Sequence, residues 1–94
     1  MTVKFFSQFI DAAMCREMSF GSAEKPADVT SLLAFLLEHF GEPMRQVLLS
    51  RDGSEIHEDA FILVNGQHLR VLNGLQTKLQ DTDTVSLLQI TEAG

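Results

Sequence analysis

The chain has 94 residues, 45% of them hydrophobic, and a net charge of −6, the size of one small domain with a modest core. The acidic balance argues against nucleic acid, where Lys and Arg must neutralise phosphates, and fits a soluble cytoplasmic protein suited to a basic partner surface. No apolar run approaches the ~20 residues of a membrane span, and Met1 to Gln8 lacks the basic and apolar regions of a signal peptide.

Residues 2–9, rich in β-branched and aromatic side chains, read as a first strand. Residues 10–15 read as a turn, and residues 16–21 alternate polar and apolar as a second strand, so the two form a hairpin. A polar loop over 22–27 contains Lys25-Pro26. Asp28 suits an N-cap, and Val29, Leu32, Leu33, Leu36 and Phe40 then recur at helical spacing, with Leu37 widening the stripe. Gly41 is a natural stop. Pro43 suits the start of a short second helix from Met44 to Leu49. Asp52-Gly53 signals a tight turn between extended segments. Phe61 to Val64 reads as a buried strand ended by Asn65-Gly66; Leu69 to Leu72 is ambiguous, Asn73-Gly74 marks another turn, and residues 84–90 form the last strand.

Two strands, a helix, an irregular stretch over 41–60 and further strands predict an α+β fold: a mixed sheet with one main helix packed on one face. The first and last strands then lie parallel at its centre, joined by a right-handed crossover. That is the β-grasp, or ubiquitin-like, arrangement. Residues 1–94 form one such domain, with a flexible C-terminal tail over 91–94.

Candidate chemistry within the body is sparse. Cys15 is the only cysteine, which leaves no intrachain disulfide and no cysteine-built metal cluster. His39, His57 and His68 are irregularly spaced, and Glu55 to Asp59 reads as a solvated hairpin arm. No bound cofactor or metal is expected. Val85 and Leu87 point under the helix, so Ser86, Leu88 and Ile90 face the other way. Leu88 and Ile90, with Phe6 on the neighbouring strand, then form an exposed apolar patch, unless the stretch 41–60 folds back over them.

The C-terminal third carries a more specific pattern: Ile62-Leu63-Val64-Asn65-Gly66, then Gly74-Leu75-Gln76-Thr77-Lys78-Leu79, then Asp81-Thr82-Asp83-Thr84-Val85, and a tail ending at Gly94. It resembles the MoaD/ThiS-like, ubiquitin-like sulfur-carrier family, which includes the small subunit of molybdopterin synthase and the archaeal small modifier proteins. Phe5-Phe6-Ser7 and the helix from Asp28 to Phe40 occupy the family's expected places. Local physics accounts for part of the pattern: Asn65-Gly66 supplies a positive-φ turn, and Thr77 and Asp81 can bond nearby backbone.

The resemblance implies that an E1-like adenylyltransferase uses ATP to activate the Gly94 carboxylate, and that sulfur then replaces the adenylate to give a thiocarboxylate. The chain is then a protein cosubstrate and not an enzyme. Gly94 is the reacting residue, Thr91, Glu92 and Ala93 form the tether, and Phe6, Leu88 and Ile90 dock the partner. The implied acceptor is the large subunit of molybdopterin synthase, in molybdenum or tungsten pterin cofactor biosynthesis, or another sulfur acceptor enzyme. The chain departs from the family at Ala93, where glycine is usual, at Gln89-Ile90, where Pro-Pro is usual, at Thr82 in place of glycine, and at the turn Ala13-Met14-Cys15. Two other functions stay open on sequence: a ubiquitin-like modifier conjugated through Gly94, and a non-conjugating β-grasp binding module, which Ala93 and the missing prolines favour.

Overall fold

The computed structural model describes residues 1–90; the expected tail, residues 91–94, lies outside them. The elements run β1 (Thr2–Phe5), α1 (Gln8–Ala13), β2 (Glu17–Ser19), α2 (Val29–Phe40), α3 (Glu42–Leu48), β3 (Ala60–Val64), β4 (Gln67–His68) and β5 (Thr84–Gln89). The strands form one sheet in the order β2-β1-β5-β3-β4. β1 and β5 are parallel neighbours, with Val3 beside Val85 and Phe5 beside Leu87, and the other pairs are antiparallel. This is the expected mixed sheet, with the chain's first and last strands at its centre.

α2 forms where the sequence places it. Asp28 is extended and its Oδ1 accepts from the Ser31 N–H at 2.8 Å, satisfying one orphan donor of the first turn. Gly41, at φ 71, ends the helix and its N–H returns to the Leu37 carbonyl at 3.0 Å. Val29, Leu32, Leu33 and Leu36 are buried, and they share one core with Val3, Phe5, Ile62, Val64, Val85 and Leu87 of the sheet.

The first expected strand, residues 2–9, is corrected: only Thr2–Phe5 is strand, and Gln8–Ala13, read as strand end and turn, is the helix α1. Ser7 adopts φ 54, which breaks the extended run, and the Phe9 and Ile10 N–H groups fold back to the Phe6 and Ser7 carbonyls. Phe9, Ala12 and Ala13 then bury one helical stripe. Tertiary burial of Phe9 overrides the strand propensity of Phe5-Phe6 and Phe9. Met14 caps α1 in the left-handed region at φ 58, at the turn where the family commonly has glycine.

The stretch 41–60 holds the expected short second helix, here starting at Glu42, and the expected Asp52-Gly53 turn. α3 buries Met44 and Leu48 in the common core. Leu49 and Ile56 then pair as an antiparallel bridge around the Asp52-Gly53 turn, where Gly53 has φ 78. Asp52 Oδ1 accepts from the Ser50 hydroxyl, the Ser54 N–H and the Ser54 hydroxyl at 2.8, 3.1 and 2.8 Å. These bonds, the Ser54 N–H foremost, hold its carboxyl down at about 2.

The approach to β5 is fixed by side-chain bonds to backbone. Thr77 Oγ1 donates to the Gly74 carbonyl at 2.7 Å and accepts from the Asn73 N–H at 3.1 Å. The local role expected of Asp81 belongs to Asp83, whose Oδ2 accepts from the Gln80 N–H at 2.8 Å while its Oδ1 accepts from the Asn65 amide at 2.8 Å. Asp81 instead accepts from the distant Ser22 hydroxyl. Leu69–Val71 and Gly74–Gln76 are short 3₁₀ turns.

Phe9 is fully buried, so Phe9→Ala is expected to lose roughly 3–5 kcal/mol in urea unfolding. The Asp52 carboxyl lies lower folded than its ordinary 3.8. Its contribution to stability is therefore present above pH 3.8 and lost as pH falls towards about 2. Thermal unfolding followed through that window should flatten in Asp52→Asn.

Candidate functional site

Strand alternation divides the sheet into two chemical faces. Val3, Phe5, Ile62, Val64, Val85 and Leu87 point to the helices and are buried. The opposite face carries two rows that follow from the registers. One row runs Glu17, Lys4, Ser86, Leu63, His68. The other sets Leu88 beside Phe61, and Phe6 extends it from the end of β1, where the Phe6 N–H donates to the Leu87 carbonyl at 2.9 Å.

Phe61, Leu63 and Leu88 are half-buried and lie outside the common core, whereas Phe6 is 43% and Ile90 51% exposed. The Phe61 and His68 rings meet edge to face at 5.7 Å and 82°, a favoured aromatic geometry. His68 Nδ1 accepts from the Arg70 N–H at 2.9 Å, which leaves Nε2 as the protonated nitrogen of the neutral ring.

The open question about the stretch 41–60 is answered by where its apolar side chains go. Met44 and Leu48 are buried in the helix-side core, and Val47, Leu49 and Ile56 pack against it. That stretch covers the helix side and leaves the row of Leu88 and Phe61 uncovered. The structure thus sets Phe6, Leu88 and Ile90 along one side of the sheet and adds Phe61 and Leu63, expected as part of a buried strand, and His68, to which the sequence assigns no place on this face. The signal was present: in Phe61-Ile62-Leu63-Val64 only alternate residues can face the helices.

The last described backbone bond on β5's far end runs from the Ile90 N–H to the Asp59 carbonyl at 2.9 Å. It anchors the point from which the tail departs. Thr91, Glu92, Ala93 and Gly94, the expected tether and reacting residue, lie outside the described residues. Among the described residues no group of three or more His, Cys, Asp or Glu side chains could hold a metal ion. Likewise, no helix of these residues is long and apolar enough to cross a membrane.

No protein-family model matches the chain, and no curated protein sequence does. Solved structures do. Small archaeal modifier protein 1 from Methanosarcina acetivorans is 26% identical, with 99% of this chain and 94% of that chain covered and a TM-score of 0.77. Small archaeal modifier protein 1 from Haloferax volcanii is 20% identical, with 100% and 98% covered and a TM-score of 0.78. A chain of the BexX/CysO complex from Amycolatopsis orientalis is 18% identical, with 99% and 98% covered and a TM-score of 0.77. The chain has the β-grasp fold of the ubiquitin-like sulfur carriers and small modifiers. The resemblance read from Ile62 onward therefore extends through the whole described body of this ubiquitin-like chain. Its exposed sheet face is one large surface, apolar on the β5–β3 side and charged at Lys4 and Glu17.

Adjacent residues of β5 should separate folding from surface roles. Leu87→Ala empties a fully buried site and should cost about 2–5 kcal/mol. Leu88→Ala should cost clearly less in the same urea titration, because its side chain already keeps part of its surface in water.

Proposed function

We propose that this chain is a ubiquitin-like sulfur carrier of the cytoplasm whose Gly94 carboxylate is the reacting group. The observation that supports the reading most is the full-length similarity to small archaeal modifier protein 1, joined to a central strand that leads the chain out beside an uncovered apolar row. The body supplies rigidity and a docking face, and the chemistry sits on the tether beyond Ile90.

The proposed reaction has two steps. A Gly94 carboxylate oxygen attacks the α-phosphorus of ATP in an E1-like partner, and pyrophosphate leaves. A sulfide donor then attacks the acyl carbon, the C–O bond to AMP breaks, and a thiocarboxylate remains. ATP belongs to the partner's site, and this chain acts as cosubstrate. Phe6, Leu88 and Ile90, together with Phe61, bury against the partner while Thr91, Glu92 and Ala93 enter its channel. The proposed acceptor is the large subunit of molybdopterin synthase, and hence the pterin of a molybdenum or tungsten cofactor. The structural similarity to a chain of the BexX/CysO complex supports a body that engages a larger partner protein.

The second reading is a protein modifier, in which a lysine amine replaces the sulfur donor and an isopeptide bond forms. The modifier proteins among the similar structures favour it.

Incubation with the cognate E1-like enzyme, ATP and a sulfur donor should add the mass of one oxygen-to-sulfur exchange, read by intact-protein mass spectrometry and absent when Gly94 is deleted. Lysine adducts with no thiocarboxylate would instead establish the modifier. An unchanged mass, with no adenylate trapped when sulfur is withheld, sinks both readings and leaves a non-conjugating binding module. Leu88→Asp should retain the far-UV spectrum and weaken adenylation by about 30-fold, read by ATP–pyrophosphate exchange, the effect of losing a central apolar contact of about 2 kcal/mol.

A further inference from the structure

Away from the open sheet face, α3 and the loop after it line an open cleft of roughly 410 Å³ whose walls include Glu42, Arg45, Gln46, Ser50, Arg51 and His57. In a chain of net charge −6 this is a local concentration of cationic and donor groups. We propose that it is a docking pocket for an acidic side chain of a partner protein.

The pocket is built from bonds already described and a few more. Arg45 rises from the last turn of α3 and its guanidinium lies over Gly53. A Cβ added at Gly53 would collide with Arg45 Nη2 and sit 3.4 Å from Cζ. Glycine at φ 78 therefore serves the turn and also leaves room for the guanidinium. The loop that carries Arg51 is closed by the Ser50 N–H to Glu55 carbonyl bond at 2.8 Å and the Gly53 N–H to Ser50 carbonyl bond at 2.8 Å. His57 is held by its own N–H to the Leu48 carbonyl at 2.8 Å. Its Nδ1 accepts from the Asp59 N–H at 3.0 Å, so the neutral ring carries its proton on Nε2. Two guanidinia, the Gln46 amide and the His57 Nε2–H are donors around one cavity.

The nearby acidic groups leave the site cationic. Asp52 is committed through Oδ1 to Ser50 and Ser54, inside the loop. Glu42 is the acidic residue in the wall, set against the two guanidinia of Arg45 and Arg51. The planar guanidinium fork matches a carboxylate in two-point contact. The site therefore suits a Glu or Asp side chain. Its position supports a protein partner: the Asp59 that bonds His57 also accepts the Ile90 N–H at 2.9 Å. Two hydrogen bonds thus link the His57 of this wall to the end of the last strand. The pocket itself stands on this geometry and holds whether or not Gly94 carries sulfur.

The test is an NMR titration of the ¹⁵N-labelled full chain at low salt with a tetraglutamate peptide, with tetraglutamine and inorganic phosphate in parallel. Saturable shifts centred on Arg45, Arg51 and His57 are expected with tetraglutamate. They should collapse at about 1 M salt, where the screening length is about 3 Å. Arg51 is exposed, so Arg51→Gln should keep the dispersed spectrum and weaken the peptide by about tenfold, the loss of one charge-assisted contact. Equal shifts with tetraglutamine, shifts spread evenly over Lys4, Arg70 and Lys78, or a response to phosphate alone would each overturn the proposal.

Discussion

The parallel pairing of β1 with β5 is the constraint on which the rest of the molecule depends. It joins Val3 to Val85 and Phe5 to Leu87, residues at opposite ends of the sequence. Closing so long a loop costs entropy before any contact rewards it, and a parallel crossover requires a long connection. The fully buried quartet of Val3, Phe5, Val85 and Leu87 offsets that cost. α2 contributes Val29, Leu32, Leu33 and Leu36 to the core that holds this quartet, which explains why its apolar stripe is wide. With the two terminal strands central, the chain's exit point becomes part of the rigid body: β5 is hydrogen-bonded on both sides, and the tail leaves from the best-supported strand.

The same pairing creates the functional asymmetry. Helices α1, α2 and α3 contribute buried side chains to one core with the inward residues of the sheet. Nothing among the described residues performs that service for the outward residues of β5 and β3. Phe61, Leu63 and Leu88 are held in place by their backbone ladder, and their side chains are half in water. An apolar face kept open in a chain this small is costly to solubility. The net charge of −6 counters that cost by repelling other copies. The described body thereby keeps one apolar stretch of its sheet open on the side away from the helices.

Legibility followed the range of the forces involved. Asp28, the leucine stripe and Gly41 announce α2 because capping and amphipathic periodicity are local. Asn65-Gly66 announces its turn for the same reason, since Asn65 and Gly66 take φ 52 and 82. α1 was illegible because Phe5, Phe6 and Phe9 carry strong strand propensity, and only the packing of α1 against α3 and β5 makes burial of Phe9 in a helix the better outcome. Asp81 was less legible because its partner, Ser22, is distant in sequence. On the open sheet face, Leu88 and Ile90 were legible from alternation along one strand, whereas Phe61 and Leu63 needed the register of β3 against β5.

The sequence by itself determined the fold class, the main helix, the Asp52-Gly53 and Asn65-Gly66 turns, the last strand and the family likeness, because these rest on local propensities and on short motifs. The tertiary structure decided which face of β5 is open, how the stretch 41–60 is shared between core and loop, and that Arg45, Arg51 and His57 line one cleft. Those outcomes depend on pairings such as Phe61 with Leu88 and Leu49 with Ile56. No local pattern encodes them, because they are set by how separate segments compete to bury apolar surface in one shared core.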